Sequence, residues 1–86
     1  MRTDDSALLL AAQAGDERAF GRLLHRHRDG LELYCILMIG DRDMAGDLVA
    51  AAMLTAWRER GLACPRTAAE IWLYGVVTRE CFRAMP

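Results

Sequence analysis

Aromatic side chains are interspersed among arginines in the last third of the chain, and such a pattern suits contact with nucleic acid. Residues 58–86 hold five arginines and three glutamates, with Trp72, Tyr74 and Phe82 between them. Guanidinium groups bind phosphates and aromatic rings stack on unpaired bases, so the segment is typical of a single-stranded DNA surface. Core aromatics with a solvated arginine rim fit the same pattern equally well.

A second candidate is the run 48–57, which contains no charged residue. Its apolar side chains go all the way round a helix, whereas a surface helix normally keeps a polar stripe. The helix is therefore either central to a bundle, or has one face in the core and another on a partner protein. A homodimer formed through this run is a third hypothesis.

A basic helical face precedes this run. Arg22 and Arg26, together with Arg18, share one side of a helix, where they either meet phosphates or an acidic protein, or are solvated. His25 and His27 are two residues apart and point in different directions on a helix. We therefore expect no metal site there.

No motif in the sequence indicates catalysis. It contains no zinc-protease motif, glycine-rich phosphate loop or carboxylate pair, and Ser6 is its one serine. The three widely spaced cysteines form neither a disulfide framework nor a zinc motif, which predicts reduced thiols in the cytoplasm, with Cys35 in the core. The N-terminus is not a signal peptide, and the charge-free runs are too short to cross a membrane. We expect no enzyme activity, no cofactor, no metal and no small-molecule substrate.

The elements that must carry these residues are all predicted to be helices. Gly15 and Gly61 are expected to end the first and third helices, and residues 67–70 (T-A-A-E) form a capping box for the last. With 86 residues, a net charge of −1 and 53% apolar residues, one domain with a small core is expected. The fold class is all-α, a compact bundle of about four helices at 4–14, 16–39, 43–60 and 67–83.

Four short motifs follow one another along the chain: 14–20 (A-G-D-E-R-A-F), 40–49 (G-D-R-D-M-A-G-D-L-V), 53–58 (M-L-T-A-W-R) and 72–74 (W-L-Y). In this order they resemble region 2 of the extracytoplasmic-function (ECF) sigma factors, the small bacterial members of the sigma-70 family. The separation of the two tryptophans also matches the family. The resemblance covers nearly the whole chain.

This resemblance implies a transcription-initiation module with two surfaces. In the family, the helix of the second motif binds the clamp helices of the RNA polymerase β′ subunit, and the last loop and helix capture the promoter −10 element. The residues expected to bind the protein partner are Asp47, Leu48, Val49, Ala51, Ala52 and Leu54. The residues expected to bind DNA are Arg58, Arg60, Arg66, Tyr74, Arg79 and Arg83.

Departures from the family pattern favour an alternative. Ala50 and Ala51 replace a Q-E pair, and Thr78 and Arg79 replace an R-N pair. We also expect no second domain after Pro86. The alternative is a sigma mimic that keeps the fold and binds an anti-sigma factor or another regulator without initiating transcription.

Overall fold

Four α-helices follow one another in the computed structural model, which describes residues 4–64 and 68–85. They are α1 (Asp5–Gln13), α2 (Glu17–Ile39), α3 (Arg42–Arg58) and α4 (Ala69–Ala84), with a 3-10 turn at Arg60–Leu62. The predicted all-α bundle of about four helices is confirmed. None of the helices in the described ranges combines the length and apolar character that crossing a membrane requires.

Aspartates begin the first three helices, and glycines follow the first two. The carboxylates of Asp4, Asp16 and Asp41 accept hydrogen bonds from backbone N–H groups in the first turn, at 2.8, 3.1 and 3.0 Å. Such N-caps contribute about 1 kcal/mol each. Gly15 and Gly40 have φ angles of 101° and 79°, the left-handed conformation that glycine adopts most readily after a helix. Gly15 thus follows α1 as the sequence predicts.

The connection from α3 to α4 differs from the sequence prediction. α3 ends at Arg58, and Gly61 lies inside the 3-10 turn without a positive φ, so this glycine does not end the helix. A residue of α1 stabilises the turn, since the Gln13 side-chain amide donates hydrogen bonds to the carbonyls of Arg60 and Ala63 at 2.8 and 2.9 Å.

The start of α4 also differs from the capping-box prediction. The helix begins at Ala69, and its N-cap is Ala68, which offers no side-chain hydrogen bond. Thr67, the first residue of the predicted capping box, lies outside the described residues.

Small side chains on α3 bring the helices close together in the core. α2 packs against all three other α-helices, and α3 also packs against α4. The largest fully buried side chains belong to α1, α2 and α4: Leu9, Leu23, Leu31, Leu73, Val77, Cys35 and Cys81. α3 contributes only Ala45, Val49, Ala52 and Ala56. Its larger apolar residues therefore lie at the edge of the core or outside it.

Candidate functional site

α3 presents one face to the core and the opposite face to solvent. Residues spaced by three and four along the helix fall on the solvent side. Leu54 is 62% exposed, and Asp47 and Ala51 are also exposed. We call this surface the outer face of α3, and its residues are Asp47, Ala50, Ala51, Leu54 and Arg58. The charge-free run is thus not enclosed by the bundle, because one face of the helix lies in the core and the other is open to solvent.

Two residues expected to bind a partner are buried instead. Val49 is 4% exposed and Ala52 is fully buried, because the helical period places them on the same side as Ala45 and Ala56. That part of the site prediction is corrected, since neither side chain is accessible. Leu48 is half-buried and packs at the edge of the core cluster.

An apolar groove between α2 and α3 adjoins this outer face. It consists of two cavities of about 220 and about 270 Å³ that share Leu24, Ala50 and Met53. The Arg28–Glu32 ion pair, at 3.1 Å, borders one cavity, and Trp57 lines the other. Because position 50 carries only a methyl group, the shared part of the groove stays open toward the outer face of α3.

Arg60, which was expected to bind DNA, makes several contacts within the protein. Its guanidinium donates to the carbonyl of Ala12 through Nε at 2.9 Å and to that of Trp57 through Nη1 at 2.7 Å. It also lies over the Trp57 ring, 3.7 Å from the centroid, and that ring packs against Phe20 at a centroid distance of 5.1 Å. These contacts engage Nε and one Nη1 hydrogen of Arg60, so the side chain has a structural role in the fold, and DNA binding by its remaining N–H donors stays a prediction.

Two of the other candidate arginines, Arg79 and Arg83, pair with neighbouring glutamates. Arg79 pairs with Glu59 at 2.7 Å, and Arg83 approaches Glu80 at 3.5 Å. Arg58 is exposed and pairs with no acidic group among the described residues. Arg66 lies outside the described residues. Exposed pairs of this kind contribute about 0 to 1 kcal/mol, so a strong polyanion can open them, but they reduce the positive charge that α4 offers.

Tyr74 belongs to the seam between α2 and α4. Its ring meets Tyr34 edge-on at a centroid distance of 5.2 Å. The Thr78 hydroxyl donates to the Tyr74 carbonyl at 2.7 Å, so the Tyr34 hydroxyl, also 2.7 Å from Thr78, is the donor in that second bond. Tyr74 is half-buried in these contacts, which leaves it poorly placed to stack on a base.

Sequence reasoning missed three exposed apolar residues on α2 and α4, and it considered a fourth, Phe82, only among the aromatic residues that suit base stacking. Leu33 and Leu37 are 58% and 76% exposed, and Ile71 and Phe82 are 65% and 62% exposed. Each pair falls on one side of its own helix. The sequence did contain a signal for them, because they fall on a different side of the helix from the regularly spaced buried positions. Those positions are Leu31 and Cys35 on α2 and Leu73, Val77 and Cys81 on α4.

The basic face of α2 is partly neutralised by α1. Asp5 accepts a hydrogen bond from Arg26 at 3.0 Å and contacts His27 Nε2 at 2.6 Å. Burial alone would raise the pKa of the Asp5 carboxyl, but the bonds from His27 and Arg26 outweigh burial and hold the pKa below its usual value. No group of three potential metal ligands comes together in ranges 4–64 and 68–85, and neither histidine belongs to one.

Fold and site together describe a small helical module with an exposed face on its third helix. Over 77 residues, which is 90% of the chain, it is 35% identical to the ECF RNA polymerase sigma factor SigM of Mycobacterium tuberculosis. The chain spans 39% of that protein's length, so it is similar to a region of an ECF sigma factor. No family model matches the chain, and no solved structure matches it.

Proposed function

We propose that this chain is a sigma region 2 module that acts in transcription initiation by docking on RNA polymerase through the outer face of α3. The observation that carries the proposal is Leu54, a large apolar side chain 62% exposed on a stretch without charge. The similarity to a region of an ECF RNA polymerase sigma factor supports RNA polymerase as the partner. By the family resemblance, the partner surface is the clamp helices of the β′ subunit.

The outer face of α3 has the composition of a small helix-docking surface. Ala50 and Ala51 let a partner helix approach closely, and Leu54 projects beyond them as an anchor. Complete burial of a leucine contributes about 1.5 to 3 kcal/mol, so the exposed part of Leu54 accounts for about 1 to 2 kcal/mol of binding. Asp47, two helical turns away, supplies a negative charge for a basic group on the partner.

Contact with promoter −10 DNA is the second part of the proposed activity. Arg58 is available for it directly, whereas Arg79 and Arg83 must first leave Glu59 and Glu80. DNA binding by the isolated chain should therefore be weak and strongly salt-dependent. Of the two proposed binding surfaces, the outer face of α3 needs no side chain to leave an existing ion pair.

A competition experiment tests polymerase docking. Core RNA polymerase carrying a fluorescently labelled ECF sigma factor is titrated with the unlabelled chain, and release of the label is followed by anisotropy. The proposal expects competitive release that saturates. If the chain binds polymerase elsewhere or not at all, the label stays bound and the proposal is contradicted.

A sigma mimic that binds an anti-sigma factor is the second candidate function. It is favoured by the paired state of Arg79 and Arg83 and by the methyl groups at positions 50 and 51, where the family carries polar side chains. Loss of a polar contact at each position removes about 0.5 to 1.5 kcal/mol of polymerase binding.

Two titrations separate these candidates. A single-stranded −10 oligonucleotide and a recombinant ECF anti-sigma domain are each titrated with the chain. The mimic binds the anti-sigma domain and neither polymerase nor DNA, even when Glu59→Gln releases Arg79. DNA binding by the wild type, strengthened by Glu59→Gln, would contradict the mimic.

A further inference from the structure

We propose that Cys35 and Cys81 are a site of oxidative modification, at which a peroxide converts two thiols into a disulfide that joins α2 to α4. This inference does not depend on the proposed function. The two sulfur atoms lie 3.2 Å apart although the residues are 46 positions apart in the sequence. Both residues are fully buried. Cys35 thus lies in the core as the sequence predicts, but its partnership with Cys81 had no sequence signal.

The position of the thiols is set by the packing of the two helices. One residue before Cys35, the Tyr34 hydroxyl donates to Thr78 at 2.7 Å, which fixes the register of α2 against α4. One turn earlier on α2, Gly30 lies so close to Tyr74 that a Cβ there would be 2.5 Å from the tyrosine hydroxyl oxygen. These contacts hold the helices at the separation that keeps the two sulfurs together.

Little movement separates the dithiol from a disulfide. A disulfide bond is about 2.0 Å long, so the sulfurs must approach by about 1.2 Å. Rotation about the Cα–Cβ bonds of the two cysteines moves their sulfur atoms over distances of this size. The hydrogen bond between the thiols already orients one sulfur toward the other.

Burial delays the reaction and determines how it begins. Burial, together with the neighbouring Cys81, raises the pKa of the Cys35 thiol to about 12. The thiolate is the reactive form, so the closed fold is protected. Cys81 lies in the last turn of α4, which ends at Ala84, and helix ends open most readily. Opening of this turn exposes Cys81 to solvent and to the oxidant.

The reaction balances with one molecule of peroxide per disulfide. The Cys81 thiolate attacks one peroxide oxygen, the O–O bond breaks, and the departing hydroxide takes up the proton released by the thiol to form water. Cys81 is then a sulfenic acid. When the turn closes, the Cys35 sulfur attacks the Cys81 sulfur, the S–O bond breaks, and the hydroxyl leaves with the Cys35 proton as a second water. Two thiols are oxidised and the peroxide is reduced.

The disulfide should strengthen the fold measurably. It closes a long loop between α2 and α4, which restricts the unfolded chain. For a loop of this length, we expect the Tm of the oxidised protein to exceed that of the reduced protein by about 10 °C or more. Reduction with dithiothreitol should reverse the shift.

The test uses the full chain carrying Cys64→Ser, which removes the exposed third thiol so that only the two core cysteines can react. Folded protein is treated with hydrogen peroxide and then denatured in the presence of an alkylating agent. The mass of the intact protein is measured by mass spectrometry. The proposal expects a mass lower by about 2 Da with no alkylation, a peptide linking positions 35 and 81, and the higher Tm. The matched control, Cys64→Ser with Cys81→Ala, should show neither change.

Two results would overturn the proposal. One is full alkylation of both thiols in folded protein after peroxide treatment, under conditions in which the same treatment oxidises the denatured chain. The other is accumulation of sulfinic acid in place of the disulfide. Both are read from the variant with both core cysteines, so the test does not require the control variant to fold.

Discussion

Replacement of Arg60 by alanine should destabilise the bundle far more than replacement of its exposed neighbour Arg58. Arg60 ties the end of α3 to the end of α1 by donating to the carbonyls of Ala12 and Trp57, and it covers the Trp57 ring. Arg60→Ala removes all three contacts and leaves two part-buried carbonyls without these donors.

The magnitude follows from these contacts. Hydrogen bonds from a charged donor contribute about 1.5 to 3 kcal/mol each, and we take the lower value because the site is only part-buried. A cation–π contact at a partly exposed site adds about 0.5 to 1 kcal/mol. The sum is about 3.5 to 4 kcal/mol, close to the total stability of roughly 3–5 kcal/mol expected for a domain of this size. The variant should be mostly unfolded or melt more than about 10 °C lower.

Urea unfolding followed by far-UV circular dichroism measures this effect, with Arg58→Ala as the control. The control should stay within about 0.5 kcal/mol of the wild type, as is usual for a surface change. The free energy of unfolding of Arg60→Lys should lie between those of Arg58→Ala and Arg60→Ala, because lysine keeps the charge but lacks the planar guanidinium that reaches both carbonyls. Equal stability of Arg60→Ala and Arg58→Ala would refute the structural role of Arg60.

Three further predictions concern the helix interior, acid and the aromatic cluster. Gly21→Ala should stabilise α2 by about 0.5 to 1 kcal/mol in urea unfolding, since open space surrounds that position. Gly30→Ala in the same helix should show no such gain, because its methyl group would meet the Tyr74 hydroxyl. The pKa of Asp5 is held below 3.8, so its stabilising effect is complete above the unfolded-state value and is lost as pH falls through the folded-state value. As pH falls below about 4, the wild type should therefore lose stability more steeply than Asp5→Asn, and equal slopes would contradict the Asp5 contacts. Trp57→Ala should cost about 2 to 3 kcal/mol by the same measurement, below the range for a fully buried tryptophan, because Trp57 is half-buried.

The helices could be predicted because their signals are local. Asp16 and Asp41 cap helices within three residues of themselves, and Gly15 follows α1 by adopting a conformation that other residues avoid. Gly61 was expected to end α3 in the same way, but it lies inside the 3-10 turn and has no positive φ. The contacts that shape its turn come from Gln13, far away in the sequence.

The candidate site was harder to predict, for two physical reasons. A run without charge has no polar stripe, so the sequence could not show that Val49 and Ala52 face inward while Ala51 and Leu54 face outward. The second reason is distance along the chain. Arg60 binds the carbonyl of Ala12 across 48 residues, and only the packed fold reveals that contact.

The most direct test of the docking surface compares two leucines of similar exposure on different helices. Leu54 is 62% exposed on α3, and Leu10 is 53% exposed on α1, which packs against α2 and α4 but not against α3. The affinities of Leu54→Glu and Leu10→Glu for core RNA polymerase are measured beside that of the wild type, with circular dichroism to verify the fold of both. We predict that Leu54→Glu weakens binding about tenfold or more, an effect of about 1.4 kcal/mol, and that Leu10→Glu leaves it nearly unchanged. Equal affinity of the two folded variants would contradict the assignment of the outer face of α3 as the docking surface.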